Sequence, residues 1–231
     1  GALTIVMDPA FGGGQAYMSP AIKMAVSGSQ LLANGANSSA DITASRSALA
    51  IGIDDWGSNV DSGGALGPGI QALFAKATVK TQSATAPLLL VDSGQQDVQI
   101  LFDNASNLTA ASNGYLIDII KYRSSTAASS VQLTLDNASV ANGLSNQNYA
   151  SSTLNVDLGH ASIWNLVEKS NGDKTSTYTS FDMKAASTLN AFKGGAAAFV
   201  MNGPLSSDAS TTNLVDNEPN DVLTVQPSYA G

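Results

Sequence analysis

Short runs of strand-forming residues, separated at close intervals by glycine, asparagine, aspartate and serine, constrain this sequence more than any other feature. Turn residues of this kind end each run before a helix of ordinary length can form. The rhythm is typical of an antiparallel sandwich and not of alternating strands and helices. The predicted strands are Leu3–Met7, Leu49–Ile53, Thr78–Lys80, Leu88–Val91, Val98–Phe102, Tyr115–Tyr122, Val131–Leu135, Leu154–Leu158, Ile163–Val167, Thr177–Met183, Ala197–Met201 and Val222–Val225.

Three segments have helical spacing of apolar residues. The first has Ser19 as N-cap and Pro20 at the first helical position, and Asn34–Gly35 ends it. The second is 69–77 and the third is 185–193, which ends at a pair of glycines. We therefore predict a mainly β fold, an antiparallel β-sandwich or jelly-roll-like domain with two or three short helices.

One internal similarity is visible. The segment Val98–Ser106 recurs 33 residues later as Val131–Ser139, and Asn155–Ser162 is a looser echo. Because nothing comparable covers the remaining chain, we expect two or three equivalent strand-plus-turn units inside one sheet and not a solenoid. Shared turn chemistry is an equally good explanation, since Asp-Asn commonly ends a strand.

The surface predicted from composition is polar but weakly charged. Only 12% of residues are charged, against about 25% in ordinary domains, and Ser, Thr, Asn and Gln take their place. Such side chains pack and hydrogen-bond at contacts more readily than the long, strongly hydrated Lys and Glu. This composition favours assembly with other copies of the chain, although an unusual secreted protein would also explain it.

Several classes of partner and chemistry are disfavoured. A net charge of −8, without any Lys/Arg run, argues against nucleic acid, and no apolar run approaches the length of a membrane span. The absence of cysteine excludes disulfides and thiolate chemistry. A first residue of glycine is what we expect of a processed chain, and we predict an extracellular, cell-surface or virion location.

The N-terminus is the most informative stretch. The β-prone residues Leu3, Thr4, Ile5, Val6 and Met7 precede a segment rich in proline and glycine, which ends at Gly14 and cannot continue a strand. We predict that residues 1–14 form a strand and hinge, and that 15–231 form a single β-rich domain. The strand either completes the sheet of a neighbouring subunit or is an ordinary edge strand of its own sheet.

Two acidic loops offer the hard oxygen ligands that calcium prefers. Both depart from the EF-hand pattern, so a solvated turn is the alternative interpretation, and no cofactor other than calcium is expected. The candidate ligands are Asp54, Asp55, Asn59, Asp61, Asp216, Glu218 and Asp221.

Four asparagines satisfy the N-glycosylation pattern, which a chain this rich in Asn, Ser and Thr also produces by chance. They are Asn37, Asn104, Asn107 and Asn137.

Catalysis has little support in the sequence. His160 is the only histidine, and no nucleophile elbow, phosphate loop or zinc motif occurs. We interpret His160 as a turn or strand-end residue, although a hydrolase with unrecognised carboxylates stays open.

The function predicted from the sequence is therefore a non-enzymatic structural subunit. It assembles into an extracellular filament, sheath, surface layer or virus particle. The alternative is a monomeric secreted β-sandwich module that binds carbohydrate or another ligand.

Overall fold

The chain winds through parallel strands arranged on three faces. The computed structural model describes residues 2–6, 20–24, 28–52, 69–92, 94–120, 128–147, 149, 151–184, 186–190, 198–208, 213–215, 222–226 and 229–230. Within these ranges, successive strands visit the three faces in rotation, and strand pairing joins each strand to the one three places later on the same face, except between the fourteenth and seventeenth strands. Eight such coils stack along one axis, which defines a parallel β-solenoid.

The strand bounds follow the three faces. Face A contains β1 (Ala2–Val6), β4 (Ser39–Ala44), β7 (Ala77–Thr81), β10 (Asn107–Thr109), β13 (Val140–Asn142), β16 (Ile163–Asn165), β19 (Thr188–Asn190) and β22 (Asn213–Val215). Face B contains β2 (Ile22–Met24), β5 (Leu49–Ile51), β8 (Leu89–Asp92), β11 (Ile117–Ile120), β14 (Ser145–Gln147), β17 (Thr175–Thr177), β20 (Ala198–Asn202) and β23 (Val222–Gln226). Face C contains β3 (Gln30–Ala33), β6 (Gln71–Ala75), β9 (Val98–Asp103), β12 (Ser130–Leu135), β15 (Thr153–Leu158), β18 (Ser180–Met183), β21 (Leu205–Ser207) and β24 (Tyr229–Ala230).

The predicted mainly β character is confirmed, but the antiparallel sandwich or jelly roll is wrong. All strand pairings of the described residues are parallel, for example β9 with β12 and β4 with β7. A parallel pair needs a long crossover, and here the crossover is the rest of the coil, made of two further short strands. Strand-and-turn rhythm is the same in both architectures, because side chains alternate with period two in either pairing.

The internal repeat is a pair of neighbouring coils. Val98 pairs with Val131 and Phe102 with Leu135 on face C, and the looser echo follows on β15, where Gln132 pairs with Asn155. The expectation of equivalent units in one sheet is therefore confirmed, whereas the expectation that the chain is not a solenoid is wrong. Because the coils differ in length, the repeat does not recur at one fixed spacing along the sequence.

The corner between faces C and A explains the repeated Asp-Asn-Ala-Ser. In the first copy Asn104 and Ala105 have φ of 55° and 61°, a left-handed pair that turns the chain sharply. The Asp103 carboxylate accepts a hydrogen bond from the Asn104 N–H at 2.7 Å, and the buried Ser106 hydroxyl donates to the Asp103 carbonyl at 2.7 Å. The two copies of Asp-Asn-Ala-Ser are similar because each forms the same type of corner.

The predicted helices are absent from the described residues. Strands β2 and β3 lie in the first predicted segment, β6 in the second and β19 in the third. In β6 the inward-facing residues are Ala72 and Phe74, so the burial alternates with period two and not with the helical period. Within the described part of the chain, no helix has the length and apolar composition needed to cross a bilayer.

Rows of inward side chains from the three faces form one apolar core along the axis. Phe74 and Phe102 stack in adjacent coils with ring centroids 5.1 Å apart, and Trp164 meets Phe181 edge to face at 5.4 Å. Trp164 is 0% exposed, and its indole N–H donates to the Gly143 carbonyl at 2.9 Å. Each such side chain contributes about 1.5–3 kcal/mol by burial.

Face B differs from the other two faces because its outer side is also buried. Ala50 and Leu90 point away from the core, yet they are 0% and 1% exposed, and Asp118 follows them in the same row. Face B is also interrupted after β14. There Gln147 N–H donates to the Thr177 hydroxyl at 2.7 Å, so a side chain replaces a backbone acceptor at this step.

The outer sides of faces A and C carry ladders of neutral polar side chains. On face C, Gln30 donates to Gln71 at 2.9 Å and Gln71 donates to Gln99 at 3.1 Å. On face A, Asn165 donates to Asn142 at 2.8 Å. The side-chain amides lie in register on successive coils and hydrogen-bond to one another. These surfaces are therefore polar with few charged residues.

Candidate functional site

The N-terminal end of the solenoid presents strand edges that no strand of the described chain covers. Strands β1, β2 and β3 are the terminal strands of their faces. The inward-facing Leu3, Ile5, Ile22 and Leu31 pack against the core but are only half-buried. In the middle of the molecule, equivalent side chains such as Leu108 are 0% exposed. Among the described residues, no further coil is stacked on this end.

The C-terminal end has the same character. Strands β22, β23 and β24 are terminal on their faces, and Leu223 and Val225 of β23 are half-buried side chains packed against the core. Unpaired strand edges are ready to pair with another chain. Because both ends expose core side chains beside such edges, the two ends together are the candidate assembly surfaces.

The predicted inter-subunit strand lies at the first of these ends. The structure places Leu3, Thr4, Ile5 and Val6 in β1, where Ile5 pairs with Ile42 of β4 in the same chain. Met7 and the glycine-rich hinge lie outside the described residues. The geometry leaves one edge of β1 uncovered by any described strand, and a contact with a neighbouring subunit there stays a prediction.

The candidate calcium ligands in the loops 54–61 and 216–221 all lie outside the described residues. Among the residues that are described, no group of three or more His, Asp or Glu is arranged to hold a metal ion. The calcium site therefore stays a prediction.

The four candidate glycosylation sites Asn37, Asn104, Asn107 and Asn137 are all on the surface. The Asn137 side chain donates to the Asp103 carboxylate at 2.7 Å, so this amide also braces the corner between two coils. Modification at these positions stays a prediction.

His160 lies in the corner after β15, where its side chain is 70% exposed. Its Nδ1 is 3.2 Å from Asp136 Oδ1, and its backbone N–H donates to the same oxygen at 2.8 Å. That oxygen also accepts from the Asn137 N–H at 2.8 Å. The Asp136 carboxylate is thus held as a cap of the corner, which agrees with interpreting His160 as a turn residue.

A cavity of about 290 Å³ lies beside this corner, lined in part by Asp136, Asp157, Asp208, His160 and Lys184. Its carboxylates come from the fourth, fifth and seventh coils, and Lys184 comes from the sixth. Of these carboxylates, Asp136 accepts hydrogen bonds from two backbone N–H groups, those of Asn137 and His160.

One buried charged cluster was not predicted from the sequence. Lys169, 8% exposed, forms an ion pair with Asp173 at 3.2 Å and lies 3.5 Å from the ring centroid of Tyr115. The Tyr115 hydroxyl donates to Asp173 at 2.7 Å. This hydrogen bond and the charge of Lys169 hold the pKa of Asp173 below its ordinary value, although partial burial acts in the opposite direction.

Asp118 lies near this cluster, on the outer side of face B. Burial raises its pKa to about 6, against the opposing effects of a hydrogen bond from Asn146 at 2.9 Å and the positive charge of Lys169. These residues are spread over 58 positions of sequence, and only the coil stacking brings them together. No local motif could have revealed the cluster.

Fold and ends together define the class: a parallel β-solenoid whose terminal coils are open in the described part of the chain. Comparisons with protein-family models, with curated proteins and with solved structures find no match to this chain.

Proposed function

We propose that the chain is a non-enzymatic structural subunit that stacks end to end with copies of itself, outside the cell or in a virus particle. The observation that carries the proposal is the pair of ends, each with strand edges that no described strand covers and with half-buried core residues. Natural proteins ordinarily protect such edges, and solenoids ordinarily cap their terminal coils.

The direction of stacking follows from the strands. All strands run in the same sense, so the C-terminal end of one copy extends the parallel ladders of the N-terminal end of the next. In that arrangement β22, β23 and β24 pair with β1, β2 and β3 of the neighbouring copy. A heterologous contact of this kind does not close on itself and produces a filament, whose lateral association would give a sheath or layer.

This stacking gives β1 the inter-subunit role predicted from the sequence without removing it from its own sheet. Ile5 continues an inward row that contains Ile42, Val79 and Leu108. A neighbouring coil would complete the burial of Leu3 and Ile5. The weakly charged outer faces oppose such close approach of copies less than a surface of Lys and Glu would.

The test uses two variants that block opposite ends. Ile5→Asp places a charge in the N-terminal contact and Val225→Asp places one in the C-terminal contact; both positions are half-buried. Thr43→Asp, on the outer side of face A, is the matched control. Sedimentation velocity and negative-stain microscopy should show polymers for the wild type and control, and monomers for each end variant alone.

A mixture of the two end variants makes the test specific. Each variant keeps one functional end, so a 1:1 mixture should form a heterodimer and nothing larger. Homodimers of either variant would contradict the head-to-tail direction. A wild-type chain that stays monomeric at high micromolar concentration would overturn the proposal itself.

A further inference from the structure

A cleft lies at the corner between faces A and B, in the fourth to sixth coils. In the fifth coil only Gly143 and Leu144 separate β13 from β14, whereas the coils on either side use longer loops, 110–116 and 166–174. The short corner therefore forms a floor between two higher walls. The cleft has a volume of about 330 Å³, within the range of small-molecule sites.

Three hydrogen bonds join the two walls. The Ser170 N–H and hydroxyl both donate to the Ser112 carbonyl, at 2.7 Å and 3.0 Å. The third is donated by the Tyr115 hydroxyl to Asp173, which also forms an ion pair with Lys169 within the 166–174 wall. A site held in this way needs little reorganisation on binding.

Glycine is required in the floor. Gly143 has φ of 144°, and a Cβ there would approach Ala110 Cβ to 2.6 Å. Because Gly143 and Ala110 are both small, the fifth coil can pass close to the 110–116 wall. Ala110 and Ala111 also make part of the lining apolar.

The remaining lining is polar and carries no unpaired charge among the described residues. Glu168 pairs with Lys174 at 3.2 Å, and Lys169 is committed to Asp173. The groups left to meet a ligand are hydroxyls and amides, those of Thr109, Ser112, Asn107 and Asn142. Asn142 is oriented by donating to the Leu108 carbonyl at 3.1 Å and accepting from Asn165.

We propose that this cleft binds a neutral saccharide. Amides and hydroxyls both donate and accept hydrogen bonds, as sugar hydroxyls do, whereas an ionic ligand would find no free counter-charge in the described lining. The alanines and Val167 supply apolar contact for the C–H surface of a sugar ring. The site is independent of stacking, because it lies in the middle coils and not at either end.

The experiment is saturation-transfer NMR on the full chain, produced without glycosylation because Asn107 is itself a predicted acceptor. The probes are glucose, galactose, mannose, N-acetylglucosamine and cellobiose. Thr109→Trp fills the cleft from the exposed side of β10, and Ser112→Trp fills it from the opposite wall. Thr43→Trp, in the same outward row two coils away, is the matched control.

At least one probe should bind the wild type and the Thr43→Trp control, and both filling variants should lose the signal while keeping the far-ultraviolet circular dichroism of the wild type. Asn107→Ala should weaken binding by about three- to tenfold, the effect of one hydrogen bond to a neutral group. The proposal is overturned if none of the five sugars binds the wild type. It is equally overturned if a folded filling variant binds as the wild type does.

Discussion

Replacing Asp118 with asparagine should stabilise the folded chain at neutral pH. The carboxyl lies on the buried outer side of face B, in register with Leu90 and Asn146, and burial raises its pKa from 3.8 to about 6. The protein therefore bears the cost of an ionised group in a poorly solvated place whenever the pH exceeds that value. Asparagine has the same shape, and its carbonyl oxygen can still accept the hydrogen bond from Asn146.

The magnitude follows from the difference between the two pKa values. At about 1.4 kcal/mol per pH unit, a rise from 3.8 to about 6 corresponds to an upper bound of about 3 kcal/mol. Because the folded state binds the proton more tightly than the unfolded state, wild-type stability falls as the pH rises from about 4 to 6 and is level above that range. The advantage of Asp118→Asn should be largest above pH 6 and should vanish near pH 4.

Urea denaturation at pH 7.5 and pH 4, followed by the fluorescence of the buried Trp164 in the sixth coil, measures both quantities. Asp41→Asn, at an exposed position of face A, is the control and should change the free energy of unfolding by less than about 0.5 kcal/mol at either pH. An Asp118→Asn variant that is less stable than the wild type at pH 7.5 would refute the reasoning. So would a stability difference that is the same at both pH values.

Further predictions concern the corners between faces C and A. Ser139→Ala should cost about 1–3 kcal/mol, because the Ser139 hydroxyl donates to the Asp136 carbonyl at 2.7 Å and accepts from the Ser106 N–H at 3.2 Å. Ser162→Ala, the equivalent change one coil later, should be neutral or stabilising in the same urea assay, since that buried hydroxyl has no partner among the described residues. Equal losses for the two variants would contradict this account. Gly159→Ala should destabilise by about 1–3 kcal/mol, because a Cβ there would come within 3.0 Å of the Leu135 carbonyl oxygen and closer still to the Asp136 carboxylate; an unchanged urea midpoint would contradict it.

Some strands were missed because they are polar, and others because their apolar spacing suggested a helix, as in β6. Each of the twelve predicted strands overlaps an observed strand. The missed ones include Asn107–Thr109, Ser145–Gln147 and Thr175–Thr177, in which one or no apolar side chain faces the core. Asn107–Thr109 is held by backbone bonds to the coils on both sides, whereas Ser145–Gln147 and Thr175–Thr177 each pair with one neighbouring strand and are joined to each other through side chains such as Thr177. Contacts with the neighbouring coils thus supply what the composition of these strands lacks.

The pairing direction could not be inferred from local patterns, for a related reason. The spacing between register partners varies, as with Val98 and Val131 at 33 residues but Ser130 and Thr153 at 23. Variable loops at the corners absorb the difference, so the period that marks a solenoid is present in three dimensions but not along the chain. The repeat is visible in the sequence only in Val98–Ser106 and Val131–Ser139. There the corner requires a left-handed turn, which both copies form with Asp-Asn-Ala-Ser.

The same irregularity connects the fold to the cleft. Coils of constant length would give smooth corners with no recess, whereas a two-residue corner between two long loops creates the depression floored by Gly143. The strands of the coils bear the ladders of Asn and Gln, and the corner loops of unequal length form the cleft. In the proposed stacking, these ladders would continue through the ends into further copies, and each subunit would display one cleft. Removing a cleft by lengthening its floor, for example by inserting residues after Gly143, should therefore leave end-to-end assembly intact, and a loss of polymers in such a variant would show that the two surfaces are not independent.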